Sequence, residues 1–219
     1  ELSTIEFSTQ NIEKLEGEIL TCKKELYDIA KTISEHRHNY AQVLSVLIQD
    51  KLAVLELPKA RFEIRITEKE LSPNGIDNVE FMISTNVSED LKPLAKVASG
   101  GEISRVMLAI KSIFAKNDDI DTVIFDEIDT GISGKATQAV ADEMVELSKS
   151  HQIIVITHQA IIASKANKHF YVRKSQEDQT KVDVYVLTGD NRIKALAELA
   201  GGTINDQSIE FAKSLLAQS

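Results

Sequence analysis

The chain has 219 residues, of which 42% are apolar and 27% charged, and it carries a formal net charge of −9. That content excludes wholesale disorder and a polyanion-binding surface spread over the whole chain, while a local basic patch stays open. Nine Gly, three Pro and 5% aromatics with no Trp exclude a collagen-like or linker-dominated chain. They suit long helices better than an all-β sandwich.

The chain opens on a heptad. From Ile5, every seventh residue is apolar or aromatic: Ile12, Ile19, Leu26, Ile33, Tyr40, Leu47 and Val54. Three residues further on come Leu15, Cys22, Ile29 and Val43, alongside the polar Ser8, His36 and Asp50. An unbroken seven-residue period keeps one stripe facing a partner helix, as in a left-handed coiled coil. Some 50 helical residues would span roughly 75 Å, and Pro58 is expected to stop the run. No second heptad stretch occurs, so the partner helix is expected in a segment outside this chain or in another chain. Cys22 is the lone cysteine, which excludes an internal disulfide framework or a cysteine-based zinc site and suits a reducing cytosol. It and His36 read as seam-packing residues. The first residues, Glu1-Leu2-Ser3-Thr4, include neither an initiator Met nor the start of a signal peptide, so a fragment is expected. No run of about 18 apolar residues predicts a transmembrane helix.

Beyond Pro58 the period changes. Arg61-Phe62-Glu63-Ile64-Arg65-Ile66 and Val79-Glu80-Phe81-Met82-Ile83 alternate, with Ser72-Pro73-Asn74-Gly75 as turn chemistry between them. Helix is then predicted over 102–116, 135–149 and 159–166, and near 193–199 and 206–217. Buried strands are predicted at 122–125 and 152–156, with later strands at 169–172 and 182–187. Strands alternating with helices predict an α/β fold with a largely parallel sheet. The organisation is thus an arm over residues 1–57 and an α/β domain over 58–219.

Three constellations carry chemistry. In Ala98-Ser99-Gly100-Gly101-Glu102, two glycines at a helix start let the backbone approach a ligand closely, and the exposed N–H groups favour an anion. Thr122-Val123-Ile124-Phe125-Asp126-Glu127 is an apolar strand ending in two carboxylates, where ligands sit on a parallel sheet. One carboxylate suits Mg²⁺ and the other an attacking water. Ile153-Ile154-Val155-Ile156-Thr157-His158 is a second apolar strand with a polar end. A right-handed crossover would bring His158 to the same edge as Asp126 and Glu127. A P-loop is absent: Gly134-Lys135 is followed by Ala136, and the glycine required five residues earlier is Asp129.

The ordered set Lys92 to Ala109, Ile124 to Gly134 and Ile156-Thr157-His158 resembles the C-terminal lobe of an ABC/SMC-type ATPase head with a long N-terminal coiled-coil helix. More narrowly it resembles the bacterial RecN family of SMC-like DNA-repair ATPases, from roughly Ile33 onward. The resemblance implies that Ser99, Gly100, Gly101 and Glu102 form the signature contacting ATP on the opposite head. It implies Asp126 as the Walker B aspartate for Mg²⁺, Glu127 as the catalytic glutamate and His158 as the switch histidine. Asp129, Thr130, Gly131 and Ser133 would form the D-loop at the head interface. Two positions depart from the family pattern: many SMC heads carry Asp at Ser133, and Leu-Pro is usual where Gln159 stands.

The resemblance further implies ATP and Mg²⁺ as cofactors, bound in a complete head dimer, and a missing N-terminal lobe bearing the P-loop and the other coiled-coil helix. It implies a second copy for head pairing, DNA as partner, no membrane, and a bacterial cytoplasmic, nucleoid-associated location. The function implied is ATP hydrolysis coupled to double-strand break repair, with this segment inactive alone. The alternatives are a fragment of a transporter-type nucleotide-binding subunit and a non-catalytic coiled-coil scaffold with vestigial motifs. A basic group at Lys165, Lys168, Arg173 and Lys174 reads as a solvated face.

Overall fold

The computed structural model describes residues 2–97, 100–115, 119–176 and 180–218. The chain divides into two compact units: residues up to Gln49 with Arg61–Lys96, and Asp50–Ala60 with the chain from Val97 onward.

In the first unit the heptad residues lie on helix α1, Leu2–Val54, which continues into the second unit. From Ile12 to Val54 that stripe is between 40% and 64% exposed. A second stripe is covered instead: Ala30, Ala41 and Ile48 are buried, with Ser34, Arg37 and Ser45 interspersed at three- and four-residue spacing. That spacing puts them on one helical face. The face meets a meander of strands β1, Arg61–Ser72, β2, Gly75–Ser84, and β3, Lys92–Pro93. The three pair antiparallel in that order. Ser72 closes the turn by donating to Gly75 O at 2.8 Å, and Gly75 takes a positive φ of 91° that suits glycine. Phe62, Ile76, Met82 and Ile83 are buried. Ser45 Oγ accepts the Ile64 N–H at 3.1 Å and donates to Ala41 O at 2.7 Å. The buried Asp77 accepts from Ser34 Oγ at 2.6 Å and Arg37 Nη1 at 2.9 Å. Burial pushes the Asp77 carboxyl up, but those two hydrogen bonds and the Arg37 and His38 charges outweigh it. The group sits below the ordinary carboxylate value.

The second unit begins as α1 ends. Pro58 is not the stop that the sequence suggested; α1 closes four residues earlier. Glu56 takes a left-handed φ of 60°, and Leu57 N–H donates back to Leu52 O at 2.9 Å. This is the hydrogen-bonded helix end that usually carries a glycine. Leu52, Leu55 and Leu57 are buried, and Lys51 Nζ reaches both Glu143 oxygens at 3.0 Å. Helix α2, Gly101–Phe114, is followed by strand β4, Thr122–Phe125, helix α3, Lys135–Leu147, and strand β5, Gln152–Val155. Strands β4 and β5 pair in parallel, Phe125 opposite Val155. Val106, Leu108 and Ala109 of α2, Phe125, Ile128, and Val140, Ala141 and Met144 of α3 are buried.

Helix α4, Ala160–Ser164, strands β6, His169–Gln176, and β7, Thr180–Leu187, and helices α5, Gly189–Gly201, and α6, Asp206–Ala217, complete the chain. Helices α4, α5 and α6 share a core of Ala160, Ala163, Leu196, Ala197, Ala212 and Leu215.

The expectation of a largely parallel sheet is corrected. Among the described residues only β4 and β5 pair in parallel; β6 and β7 form an antiparallel pair of their own, as do the strands of the first unit. Connection length decides this. A whole helix separates β4 from β5, whereas three residues separate β6 from β7, too few for a crossover. The strands are also less buried than their composition suggests, with Ile124 at 64% and Ile154 at 46% exposed. An apolar run records that a strand needs cover, not which segment supplies it.

Candidate functional site

The candidate residues with described side chains gather in the second unit, where three chain segments are stitched together. Gly101 starts α2 and lies directly against the turn that leaves β4. A methyl group on it would sit 2.5 Å from Thr130 O and 3.0 Å from Glu127 O. Both are backbone atoms, so only glycine fits. Four residues on, and therefore on the same helical face, Arg105 is buried. Its Nη1 donates to Thr130 O at 3.2 Å and Ile128 O at 3.5 Å. Burial lowers its guanidinium below the ordinary value, against the opposing charge of Glu102. Ser104 Oγ donates to Asp126 O at 3.0 Å. Helix α2 and the end of β4 are thus tied together by direct contacts.

The turn itself is closed by Thr130 N–H on Glu127 O at 3.1 Å. Asp126 and Glu127 are exposed, and Glu127 has a left-handed φ of 56°. For a residue with a Cβ that conformation costs about 1–2 kcal/mol, and such outliers gather at functional sites. Past the turn, Gly131 and Ser133 are exposed. Ser133 O accepts the Ala136 N–H at 3.3 Å at the start of α3.

The end of β5 joins the same assembly. Ile156 N–H extends the ladder to Phe125 O at 2.9 Å. The next two residues converge on Asp129: Thr157 Oγ1 donates to its Oδ2, and His158 N–H does so at 2.9 Å. His158 Nδ1 lies 3.2 Å from the same oxygen. Asp129 is 1% exposed, whereas the His158 side chain is 66% exposed.

Gly100, Gly101, Glu102, Asp126, Glu127, Asp129, Thr130 and His158 therefore belong to one stitched region. Ser99 lies outside the described residues. The sequence reading did not single out Ser104, Arg105 or Thr157 as the stitches. Arg105 carried a usable signal: a charged residue one turn after Gly101, immediately before the apolar run Val106 to Ile110. Asp129 was read as facing a partner head, yet its carboxylate is turned into the protein.

Among the described residues, no group of three or more His, Cys, Asp or Glu could hold a metal ion. The exposed carboxylate of Asp126, with Glu127 beside it, has the chemistry for a cation that keeps waters and takes phosphate oxygens. Mg²⁺ behaves in this way, and a fully caged ion does not. The N-terminus of α2 adds backbone N–H groups and the positive end of a helix dipole, which fit an anion. Among the described residues no helix is long and apolar enough to cross a membrane.

No protein-family model matches the chain. It is 36% identical over 223 residues to the DNA repair protein RecN of Halalkalibacterium halodurans, covering 99% of this chain and 40% of that protein. The DNA repair protein RecN of Bacillus subtilis is 36% identical over 242 residues, 99% of this chain and 42% of the relative. For that of Treponema pallidum the identity is 37% over 213 residues, with 93% and 37% covered. The chain thus spans about two-fifths of the length of these relatives. Among solved structures, it resembles the Smc head domain with a coiled coil and joint from Pyrococcus yayanosii. The TM-score is 0.58 at 24% identity, covering 86% of this chain and 35% of that one. A second Smc head domain, from Pyrococcus furiosus, with an extended coiled coil and bound to the C-terminal domain of ScpA, gives a TM-score of 0.53 at 24% identity. There 80% of this chain and 42% of the other are covered. The shared fold is that of an SMC head carrying a long helix.

Proposed function

This chain belongs to the RecN family, and on that premise we propose that it is the C-terminal lobe of an SMC-like ATPase head with its returning coiled-coil arm. The arm would be residues 1–57 and the lobe residues 58–219. In the complete protein the lobe would couple ATP binding and hydrolysis between paired heads to repair of DNA double-strand breaks. One observation carries the reading. The glycine start of α2, the carboxylate end of β4 and the histidine end of β5 are bound into one piece by Gly101, Ser104, Arg105 and Asp129.

When bound, Mg²⁺ and ATP supply the transferable phosphoryl group and the charge neutralisation that phosphoryl transfer requires. The chain's own residues would do the rest. Ser99, Gly100, Gly101 and Glu102 would face ATP held by the opposite head, with the α2 dipole favouring its negative charge. Asp126 would hold Mg²⁺, directly or through water. Glu127 would orient the attacking water and take its proton. His158 would meet the γ-phosphate. Thr130, Gly131 and Ser133 would face the partner head. The N-terminal lobe of the same protein would bring the P-loop and the second helix of the coiled coil, against the exposed stripe of α1. A second copy would close the head pair, DNA would be the macromolecular partner, and the bacterial nucleoid would be the place of action.

The test uses the full-length protein. Glu127→Gln should lower Mg²⁺-dependent ATP turnover by about 10²–10⁴-fold, the range of a general base, while ATP-dependent head pairing persists in crosslinking. Unchanged turnover removes Glu127 from the base role. The 219-residue chain alone should not turn over ATP, because it has no P-loop. Steady turnover that disappears in Glu127→Gln would overturn the half-head reading.

A further inference from the structure

Arg105 is a poor choice for packing alone. It is 4% exposed, and its Nη1 reaches two backbone carbonyls, Thr130 O at 3.2 Å and Ile128 O at 3.5 Å. Among the described residues its Nε is buried without a hydrogen-bond partner. Burying a cation and leaving one of its donors unpaired both work against stability. An apolar side chain would extend the buried run of Val106, Leu108, Ala109 and Ile110 without either cost. What the arginine secures is the turn after β4. The carbonyls held from α2 stand on both sides of Glu127: Ser104 Oγ donates to Asp126 O at 3.0 Å, and Arg105 to Ile128 O and Thr130 O. Glu127 between them takes the left-handed φ of 56°. A residue with a Cβ keeps that conformation only where its surroundings hold it there.

We propose that Arg105 is the positioning residue of Glu127: it holds the turn after β4 in its left-handed form and so fixes where the Glu127 carboxylate stands. The Glu127 side chain is exposed, so its direction comes from the backbone that carries it, and that backbone is held from α2. Ser104 secures the strand end and Arg105 the turn beyond it. A turn that relaxed at Glu127 would draw Ile128 O and Thr130 O away from the guanidinium, leaving a buried cation without acceptors. The burial of Arg105 therefore penalises the relaxed turn and favours the strained one. This role rests on the reading of Glu127 as the candidate base.

The experiment is a double-mutant cycle on ATP hydrolysis by the full-length protein. Arg105→Met should lower kcat by about 10–100-fold, as a misplaced reacting group does. KM for ATP should change by less than about two-fold, because the turn is disturbed and not the nucleotide contacts. Arg105→Lys keeps a cation and a donor but loses the rigid fork, so its kcat should fall between those of the wild type and Arg105→Met. On a Glu127→Gln background Arg105→Met should cost no further turnover, since one residue acts through the other. An arginine with a merely structural role would lower the folded fraction, and that loss would multiply with the effect of Glu127→Gln. Multiplied losses, or full kcat in Arg105→Met, overturn the proposal. Where Arg105→Met fails to fold, Arg105→Lys closes the same cycle and decides by the same criterion. Full turnover in Glu127→Gln would overturn the base reading itself, whereas a loss in Glu127→Gln with none in Arg105→Met overturns the positioning role alone.

Discussion

Two buried aspartates, one in each compact unit, have the same chemistry and different surroundings. Asp77 accepts from a hydroxyl, Ser34, and from Arg37. Asp129 accepts from a hydroxyl, Thr157, and sits beside His158. Arginine is permanently charged and presents several donors in a rigid fork, so the first pair is a lasting tie between α1 and β2. The His158 ring is instead 66% exposed and meets the carboxylate through a single ring nitrogen at 3.2 Å. The second pair therefore leaves its ring open to solvent. The difference lies in the partner and not in the carboxylate.

Truncation should separate the two. Asp129→Ala leaves the part-buried Thr157 hydroxyl and His158 N–H without their acceptor, at about 1–3 kcal/mol for each. Amide exchange protection in β5 and α4 should fall by about 100-fold, equivalent to about 3 kcal/mol. Asp77→Ala should cost less, about 1–2 kcal/mol, because Arg37 is one-third exposed and recovers water. The pH dependence follows the same logic. The folded Asp77 carboxyl lies below its ordinary value of 3.8, so its stabilisation is complete above that pH. It is lost as pH falls through the lower folded value. Protection in β2 should therefore drop across that acid window in the wild type and stay flat there in Asp77→Ala. Equal costs for the two truncations would mean that the partner does not matter.

Much of this was legible in the sequence because period and turn chemistry are local. The heptad, the Ser72 to Gly75 turn, the span of β4 and the helix over 206–217 were all read from short stretches. Strand order was not, since it depends on what lies between strands and on what covers them. The covered stripe of α1 was also missed, because Ala30, Ser34, Arg37 and Ala41 are small or polar and give a weak apolar signal. At the site, residue types announced Asp126, Glu127 and His158, but the stitching by Arg105 and Asp129 depends on contacts between distant segments. Gly101 shows how a local cue and a tertiary cause combine. Its glycine was read as access for a ligand, and its Cβ position is filled by the backbone of the β4 turn. Gly101→Ala should accordingly destabilise the second unit by about 1–3 kcal/mol, as overpacking does. It should also lower protection around Thr130 before any nucleotide is present. A destabilisation seen only with ATP would restore the simpler reading.

The finest contrast is between Glu56 and Glu127, the non-glycine residues with positive φ among the described residues, at 60° and 56°. Backbone geometry is nearly the same, yet one residue closes a helix and the other ends the strand that carries the candidate base. At Glu56 the left-handed conformation costs about 1–2 kcal/mol in the folded chain. Replacing it with glycine removes that cost and adds back up to about 1 kcal/mol of unfolded-state entropy. Glu56→Gly should thus stabilise the second unit by about 0.5 kcal/mol, read as a small rise in the urea midpoint at constant slope. Glu56→Ala keeps a Cβ and should change almost nothing, which isolates the backbone contribution from the loss of a carboxylate. Were Glu56→Ala to stabilise as much as Glu56→Gly, charge and not strain would be the cause. The strain at Glu127 would then lose its closest structural precedent in this chain.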